Sequence, residues 1–421
     1  MVYVQNIDGQ PLMPTERHGM VKHLLKENRA RVVMRCPFTI RLKYKGTTYT
    51  QNLTQGDDTG SGTFAMAVAR DNGDIVYASQ VELRNDIAEK MTRRCHYRRN
   101  RRSRKTRYRK ARWLNRKNSR RPDRLSPTMK SKLDAHEREN RLIRKILPVT
   151  KHVSEMGQFD MQLMKNPSLA ENKWGYQKGP NYGFANTRAM VLNRDNYTCQ
   201  CCKGKHKDPK LEIHHVVFRR DGGSDNAENL VTLCHTCHKK LHDGKISPDF
   251  KGMYKGNLKF ASQMNVIRSQ WLKMHPDIIE TFGYITKENR QLLGLGKDHY
   301  IDACVIATGG KPFQMKTLLY KKKCVAKGDM RRSKGVRSET RIPKDKICGF
   351  KKFDKVLYLG NEYFIKGRYS TGYAVLMDFS GKKADFSYLP KGKIPKMANM
   401  RRIGARKSWI VTAEAVTPSS A

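Results

Sequence analysis

The pattern of apolar and polar positions changes character several times along the 421 residues of the chain. Near the N-terminus, apolar residues recur at helical spacing after Thr15, which can cap a helix that ends near Glu27. Alternating positions then predict strands over 63–69 and 75–83, on either side of a hairpin turn at Asp71–Gly73. These stretches predict a small α+β unit followed by an antiparallel meander.

The rest of the chain predicts long helices around a compact module and a β-rich end. Pro148 ends the first of these helices, because proline cannot continue the helical hydrogen bonds. The predicted elements are helices over 129–146, 262–274 and 298–307, a strand over 150–155, a linker over 165–187, a compact module over 188–243, and strands of a small barrel over 356–364 and 372–379.

The charge narrows the class of protein. Lys and Arg number 85 against 38 Asp and Glu, so the formal charge is +47. A folded chain with this excess repels itself unless a polyanion shares its surface, which indicates a nucleic-acid binder. The chain has no apolar run long enough to cross a membrane, and its first residues resemble neither a signal nor a transit peptide. We therefore expect a cytoplasmic protein that acts at the nucleoid of a prokaryote.

One segment concentrates the positive charge. Residues 93–124 hold 14 Arg and 3 Lys against one acid, with no glycine and no proline before Pro122. They predict one helix of about 35 residues, or roughly 50 Å, that is basic on all sides. Such a rod suits burial in nucleic acid, whereas the alternative is a solvated tail that binds RNA loosely. The candidate nucleic-acid contacts are Arg98, Arg99, Arg101, Arg102, Arg104, Arg107, Arg109, Arg112, Trp113 and Arg116.

Two pairs of cysteines frame the compact module. Cys199 and Cys202 form the first pair, and Cys234 and Cys237 form the second pair about 32 residues later. Four thiolates at this spacing predict a closed tetrahedral Zn²⁺ site that braces the fold. Cys201 lies inside the first pair and is interpreted as a residue that does not bind the zinc.

Histidines lie between and after these pairs. A predicted strand carries adjacent His214 and His215, and Asn229 and His238 follow. This order resembles the HNH nuclease motif, whose fold is a ββα-metal finger. The resemblance implies that His214 and His238 bind one Mg²⁺, that His215 is the general base, and that Asn229 orients His215. The remaining histidines of the module are interpreted as structural or surface residues: His206, His235 and His242.

Three acids outside the module form a second candidate site. Asp58 ends a strand, Glu155 ends another, and Asp302 shares a face of an otherwise apolar helix with His299. Together they resemble RuvC, a nuclease of the RNase H-like class. The resemblance implies that the three acids bind two Mg²⁺ ions and that His299 helps to activate water. Asp57 stands where that family has an apolar residue, and the spacing to the following Thr-Gly favours Asp58 as the ligand.

The order of these features indicates one architecture. An HNH finger inserted into a split RuvC, with an arginine-rich bridge helix after the first RuvC segment, resembles the IscB family. The Pro-Leu-Met-Pro opening at Pro11–Pro14 resembles its PLMP domain. The expected fold class is multidomain α+β. The expected domains are PLMP over 1–50, RuvC segments over 51–85, 126–175 and 251–312, the bridge helix over 86–125, HNH over 176–250 and a C-terminal β-rich domain over 313–421.

The resemblance implies an RNA-guided DNA endonuclease. A bound guide called ωRNA would select double-stranded target DNA beside a short target-adjacent motif read by the C-terminal region. HNH would cut the guide-paired strand and RuvC the displaced strand, within a monomeric ribonucleoprotein. Two alternatives are an HNH homing or restriction-type endonuclease with direct DNA readout, and a non-catalytic guide-dependent DNA-binding protein. Residues 351, 352, 368 and 401 are candidate contacts of the C-terminal region.

Overall fold

The structure is a computed structural model that describes residues 1–104, 124–179, 181–221, 223–250, 258–326, 346–387 and 394–416. It divides into two compact units. Unit 1 comprises Met1–Gly157 and Gln263–Ala421, and unit 2 comprises Gln158–Ser262. Unit 2 is therefore wider than the HNH domain predicted over 176–250.

The strands in chain order are β1 (Tyr3–Gln5), β2 (Ala30–Arg35), β3 (Phe38–Leu42), β4 (Leu53–Asp58), β5 (Thr63–Arg70), β6 (Asp74–Glu82), β7 (Lys151–Glu155), β8 (Leu211–His215), β9 (Leu230–Cys234), β10 (Ile279–Thr281), β11 (Gln314–Met315), β12 (Leu319–Cys324), β13 (Lys355–Tyr358), β14 (Asn361–Arg368), β15 (Ala374–Met377), β16 (Arg401–Gly404) and β17 (Trp409–Glu414). The helices are α1 (His18–Lys26), α2 (Ile87–Arg104), α3 (Pro127–Ile146), α4 (Met161–Lys165), α5 (Thr187–Arg194), α6 (His235–His242), α7 (Lys259–Met274), α8 (Gly283–Leu292) and α9 (His299–Thr308).

The core of unit 1 is a mixed sheet in the order β10-β7-β4-β5-β6-β12-β17, with β11 paired to β6. The predicted meander is present as antiparallel β4, β5 and β6, and β7 lies parallel to β4 on the other side. Helix α9 packs on one face through small residues such as Ala303 and Ala307. Gly56 permits this approach, because a Cβ there would lie 2.3 Å from the backbone nitrogen of Ala307.

The opposite face of the sheet packs against α3 and α7. Phe64 and Met66 of β5 join Ile143 of α3 and Trp271 of α7 in the largest buried apolar cluster. Ser126 caps α3 by accepting a hydrogen bond from the Met129 amide, and the basic residues in its last turn favour the helix dipole. The sheet is thus held between two helical layers, as the apolar content of β5 requires.

The N-terminal α+β unit differs from its prediction at the start of α1. Thr15 was expected to cap this helix, but the Thr15 backbone pairs with Val2 as an isolated bridge. The helix begins at His18, and the Thr15 hydroxyl accepts a hydrogen bond from the Arg17 amide outside it. Val21 and Leu24 then pack on Ile40 of the sheet β1-β3-β2. The two backbone hydrogen bonds between Val2 and Thr15 stabilise this arrangement more than a single capping hydrogen bond would.

The strands after residue 313 divide between two sheets, whereas one C-terminal domain was expected over 313–421. β12 and β17 extend the central sheet, and β13, β14, β15 and β16 form a separate four-stranded sheet. A buried ion pair fixes β12: Lys322 Nζ lies 2.6 Å from Glu139 Oε1 of α3 and donates to the Tyr77 hydroxyl. The lysine-rich sequence of β12 does not predict this ion pair, because lysine ordinarily indicates an exposed strand.

The basic segment is described only in its first part. Helix α2 covers Ile87–Arg104, within the segment predicted as the bridge helix, and Arg98 and Arg99 are exposed on it. The predicted contacts Arg107, Arg109, Arg112, Trp113 and Arg116 lie outside the described residues. The predicted linker over 165–187 instead contains short helical turns at Pro167–Ala170 and Lys173–Gln177. Among the described helices, none has the length and apolar character that a bilayer crossing requires.

Candidate active sites

Unit 2 contains a ββα finger. Strands β8 and β9 pair antiparallel, with His214 opposite Val231 and His215 opposite Leu230. Helix α6 follows β9 directly, and the Cys234 sulfur caps it by accepting from the Cys237 amide. Because neighbouring residues of a strand face opposite sides, His214 is buried and His215 lies on the other side at the edge of the finger.

The four expected cysteines converge at one end of the finger. The sulfurs of Cys199, Cys202, Cys234 and Cys237 all lie within 4.8 Å of one another. Cys202 and Cys234 are 3.9 Å apart at sulfur, a separation that suits two thiolates of one tetrahedral Zn²⁺ ion. Against the effect of burial, hydrogen bonds from the His206 and Gly204 amides and from neighbouring cysteines lower the pKa of Cys202 to about 6. The donor set therefore fits a structural zinc, and Cys201 stays outside it.

A cluster of three histidines lies elsewhere in the finger. Nitrogen atoms of His214, His238 and His242 lie within 4.8 Å of one another, and the Nε2 atoms of His238 and His242 are 3.1 Å apart. Burial, reinforced by the neighbouring histidines, lowers the pKa of His214 to about 4, so its ring is neutral, as a metal ligand must be. The sequence prediction omitted His242, which was interpreted as structural. His238 and His242 lie four residues apart on one helix face, a signal that was available.

Glu212 positions one of these rings. It lies on β8 two residues before His214, and its carboxylate is 2.6 Å from Nδ1 of His238. A carboxylate at Nδ1 fixes the tautomer and orientation of the ring and leaves Nε2 for the cluster. Hydrogen bonds from His235 and then from His238 lower the pKa of Glu212. His235, which was expected to be a structural or surface residue, contacts Glu212 Oε1 through Nδ1 at 3.2 Å.

His215 has a different environment from the cluster. Its Nε2 lies 2.8 Å from Asp225 Oδ1, and Arg219 contacts the same oxygen at 2.7 Å. The hydrogen bond with His215, together with Arg219, lowers the pKa of Asp225. A carboxylate that accepts from Nε2 leaves Nδ1 as the nitrogen able to take a proton. Asp225 was not predicted, because an isolated acid in a loop carries no sequence signal.

Asn229 acts on the backbone next to His215. Its amide oxygen accepts from the Val217 amide at 2.8 Å, and its amide nitrogen donates to the carbonyls of Val217 and Ser224. It is fully buried. Asn229 was expected to orient the His215 ring. In the structure it anchors the loop that follows His215, since its two-sided amide can pair with both backbone groups of one residue.

The three acids of the second site lie together in unit 1. Asp58 and Glu155 are register partners at the carboxyl ends of parallel β4 and β7. Asp302 of α9 acts electrostatically on both. His299 donates from Nδ1 to Asp58 Oδ2 at 2.6 Å. Among the described residues, these carboxylates do not converge within 4.8 Å as the cysteines and histidines do.

Burial and mutual repulsion dominate the electrostatics of this site. Burial and then Asp58 raise the pKa of Glu155 to about 7. Burial and Asp58 likewise raise the pKa of Asp302 to about 6, with Arg290 acting in the opposite direction. Burial raises the pKa of Asp58, although His299 opposes it. Asp58 is buried and Glu155 and Asp302 are half-buried, and three acids that repel one another in this way form a set that divalent cations would stabilise.

Helix α8 adds two residues that the sequence analysis missed. The Thr286 hydroxyl faces Glu155 and opposes the rise in its pKa. Arg290 Nε lies 3.0 Å from Asp302 Oδ1 and is 7% exposed. Because α8 follows β10, which pairs with β7, it lies directly beside Glu155. Arg290 sits in a helix rich in polar residues, so its sequence pattern is that of an ordinary surface cation.

Asp57 faces away from the three acids. It is fully buried, and its carboxylate contacts His152 Nε2 at 2.5 Å and accepts from Gln55 Nε2 at 2.9 Å. His152 in turn contacts Arg144 of α3. Neighbouring residues of a strand face opposite sides of the sheet, so Asp57 points away from Asp58, and its polar partners explain how an acid is accommodated there. His152 lies on β7, so the pair links the two strands that carry Asp58 and Glu155.

Comparison with known proteins identifies two family matches. Residues 2–179 match the family described as RRXRR protein, and residues 199–244 match HNH endonuclease. The second range includes both cysteine pairs and all three clustered histidines.

Two relatives are similar over a limited part of the chain. Anaredoxin of Nostoc sp. (strain PCC 7120) is 34% identical over 73 residues, which are 17% of this chain and 92% of that protein. The type IV methyl-directed restriction enzyme EcoKMcrA of Escherichia coli (strain K12) is 33% identical over 78 residues, also 17% of this chain but 28% of the enzyme. Similarity to these relatives therefore concerns a short module within a much longer chain.

Proposed function

Because residues 199–244 match the family described as HNH endonuclease, we propose that the chain is a metal-dependent DNA endonuclease and that His215 is its general base. The observation that carries this proposal is the pairing of a three-histidine cluster with a separately oriented His215 on one ββα finger. A metal ligand set and a proton acceptor on opposite sides of one strand are the two components that phosphodiester hydrolysis needs.

Each residue of the finger has a distinct part in this chemistry. A divalent ion such as Mg²⁺, held by His214, His238 and His242, would polarise the scissile phosphate. His215 would take a proton from water at Nδ1, with Asp225 stabilising the imidazolium that results. Asn229 would keep the loop that follows His215 in place through its two contacts with Val217. The four cysteines would hold Zn²⁺ in a purely structural role.

We further propose that Asp58, Glu155 and Asp302 form a second, RuvC-like nuclease site with two Mg²⁺ ions. The sheet order supports this proposal, because parallel β4 and β7 bring two acids side by side and α9 adds the third. His299, which is hydrogen-bonded to Asp58, would help to position or activate the attacking water. The chain would then cut both strands of a duplex, one at each site.

We also propose that a guide RNA directs the nuclease to its target. The formal charge of +47, and the exposed arginines of α2 within the segment of highest charge density, support a second polyanionic partner besides DNA. A guide RNA would pair with one DNA strand, HNH would cut that strand, and the RuvC-like site would cut the displaced one. The RRXRR match covers the segment that carries Asp58, the start of the bridge helix and Glu155.

A restriction-type enzyme that reads DNA directly is the second candidate function. The similarity to EcoKMcrA favours it, because that relative is named as a restriction enzyme. This candidate needs neither the second acidic site nor the arginine-rich helix. A non-catalytic guide-dependent binding protein is the third possibility, and it would leave the intact ligand sets without a role.

Strand-specific nicking tests these functions. The purified protein, with the RNA that accompanies it, is given Mg²⁺ and a target duplex labelled differently on each strand. We expect His215→Ala to nick only the strand not paired to the guide, and Asp58→Ala to nick only the paired strand. Treatment with RNase before DNA is added should abolish specific cutting. Unchanged cutting after RNase treatment would favour direct readout, and loss of both cuts in either variant would exclude two independent sites.

A further inference from the structure

Two exposed aromatic rings stand next to Glu155. Thr281 is the register partner of Glu155 across β10 and β7, and Phe282 and Tyr284 follow it at the start of α8. Their rings are 40% and 68% exposed. The ring planes are within 10° of parallel, with centroids 6.1 Å apart. The two nearly parallel, exposed rings therefore lie together at the edge of the acidic site.

The position of this surface is fixed by the glycine between the rings. A Cβ at Gly283 would lie 2.9 Å from Glu155 Oε1, so a larger residue would push the carboxylate away. The absence of a side chain lets the first turn of α8 lie directly against Glu155. The aromatic pair is therefore held at a short, defined distance from one of the three acids.

Packing within the protein does not account for these rings. Neither Phe282 nor Tyr284 belongs to an apolar cluster of the described residues. Isolated exposed apolar residues are common, but two aligned aromatic faces beside a charged site offer a binding surface for another flat ring. Cations accompany them: Lys287 is exposed one turn after Tyr284, and Lys297 is exposed and acts electrostatically on Asp58 and Asp302.

We propose that Phe282 and Tyr284 form a stacking platform for an unpaired base of the DNA strand whose phosphate lies at Asp58, Glu155 and Asp302. This inference rests on the proposed second nuclease site. Aromatic faces bind any base whose own face is free, whereas bases inside a duplex are stacked on their neighbours. Lys287 and Lys297 would contact the flanking phosphates. The platform would therefore select a displaced, single-stranded segment and set which phosphate reaches the acids.

The test measures binding and cutting of single-stranded DNA in which one base at a time is replaced by an abasic sugar. With the wild-type protein, we expect one or two adjacent positions to weaken binding about tenfold. Tyr284→Ala should show the same loss with intact DNA and no further loss at those positions. Tyr284→Phe keeps the ring and should behave as the wild type. Leu292→Ala is the matched control, because it removes an 80% exposed aliphatic side chain from the same helix.

Other outcomes would overturn the inference. Equal losses at every position, or equal losses in Tyr284→Ala and Leu292→Ala, would indicate non-specific contact. If the aromatic variants weakened binding of single-stranded RNA and left DNA unaffected, the platform would belong to the RNA. Asp58→Ala separates the two proposals: it should stop cutting of this strand without changing the abasic pattern. If cutting persisted in Asp58→Ala while the abasic pattern remained, the second nuclease site would be wrong and the platform would stand.

Discussion

His242 is separated from His238 by one helical turn, and the two Nε2 atoms nearly touch at 3.1 Å. At this separation, either one ring donates its N–H to the other or both nitrogens bind one cation. We predict that His242→Ala lowers metal affinity and paired-strand cutting by more than about hundredfold, since even residues that only orient a ligand cost 10–100-fold. Calorimetric titration with Mn²⁺ or Zn²⁺ gives the affinity independently of cutting.

The control for this prediction is His18→Ala, which removes an exposed histidine of unit 1. This variant should change neither the metal affinity nor the cutting of the paired strand. A His242→Ala protein that bound metal as tightly as the wild type would restrict the ligands to His214 and His238, the pair expected from sequence. The Cys₄ site must be occupied by zinc in both proteins, so that the titration reports the histidines alone.

Asp57 and His152 form a buried pair in which each side chain is a polar partner of the other. Replacing Asp57 by Val leaves the His152 ring buried without its main partner, at a cost of about 1–3 kcal/mol. We predict that Asp57→Val lowers the melting temperature of the protein and that adding His152→Leu recovers most of the loss. Removing both side chains costs less than removing one, because neither member of the pair then faces the gap left by the other, and Gln55 keeps Asn140 as an acceptor.

Thermal unfolding of the two single variants and the double variant measures this coupling. Asp57→Asn is the matched variant that keeps the shape and loses the charge, and it should lie between the wild type and Asp57→Val. Additive losses in the double variant would mean that Asp57 and His152 stabilise the sheet separately. The strands β4 and β7 would then be aligned by their backbone pairing alone.

At the scale of elements, periodic patterns predicted most of the strands and helices near both sites. The apolar period of α3, the apolar sequence of α9 and the hairpin signal between β5 and β6 predicted these elements, and the structure contains all of them. β12 was not foreseen as part of the central sheet, because Lys322 is neutralised by Glu139 from a helix 183 residues away. Residues Thr286 and Arg290 of α8 were missed for a similar reason, since their partners are acids on β7 and α9. A single polar residue does not reveal which distant element supplies its partner.

The ββα finger is the element whose stability depends most on a bound group. Its apolar cluster is small and consists in large part of the cysteines themselves, with Val231 and Leu233. A structural zinc then contributes folding free energy directly, because the ligands have no preformed site in the unfolded chain. We predict that a strong chelator unfolds 188–243 and leaves unit 1 folded. Limited proteolysis followed by mass spectrometry should locate new cleavage sites within this range, and readdition of Zn²⁺ should remove them.

A serine substitution gives the matched comparison for the chelator. Cys202→Ser removes one ligand and should produce the same cleavage pattern without a chelator, whereas Cys201→Ser should not, because Cys201 lies outside the four-sulfur group. Protection from proteolysis in the metal-free protein would show that the apolar cluster suffices. The finger would then resemble an ordinary small domain rather than a metal-dependent one.

For the whole molecule, the charge of +47 determines how stability responds to salt. Without a polyanion, like charges repel and salt screens them, since the Debye length is about 10 Å at 0.1 M. With RNA bound, salt instead weakens the attraction to phosphates. We predict that raising NaCl from about 50 to about 200 mM increases the melting temperature of the nucleic-acid-free protein and decreases that of the ribonucleoprotein. Scanning calorimetry of both forms at matched protein concentration measures the two slopes of melting temperature against salt.

Heparin, a polyanion, is the control for this prediction: added to the free protein, it should reverse the slope. Slopes of the same sign in both forms would contradict a nucleic-acid partner for the basic residues.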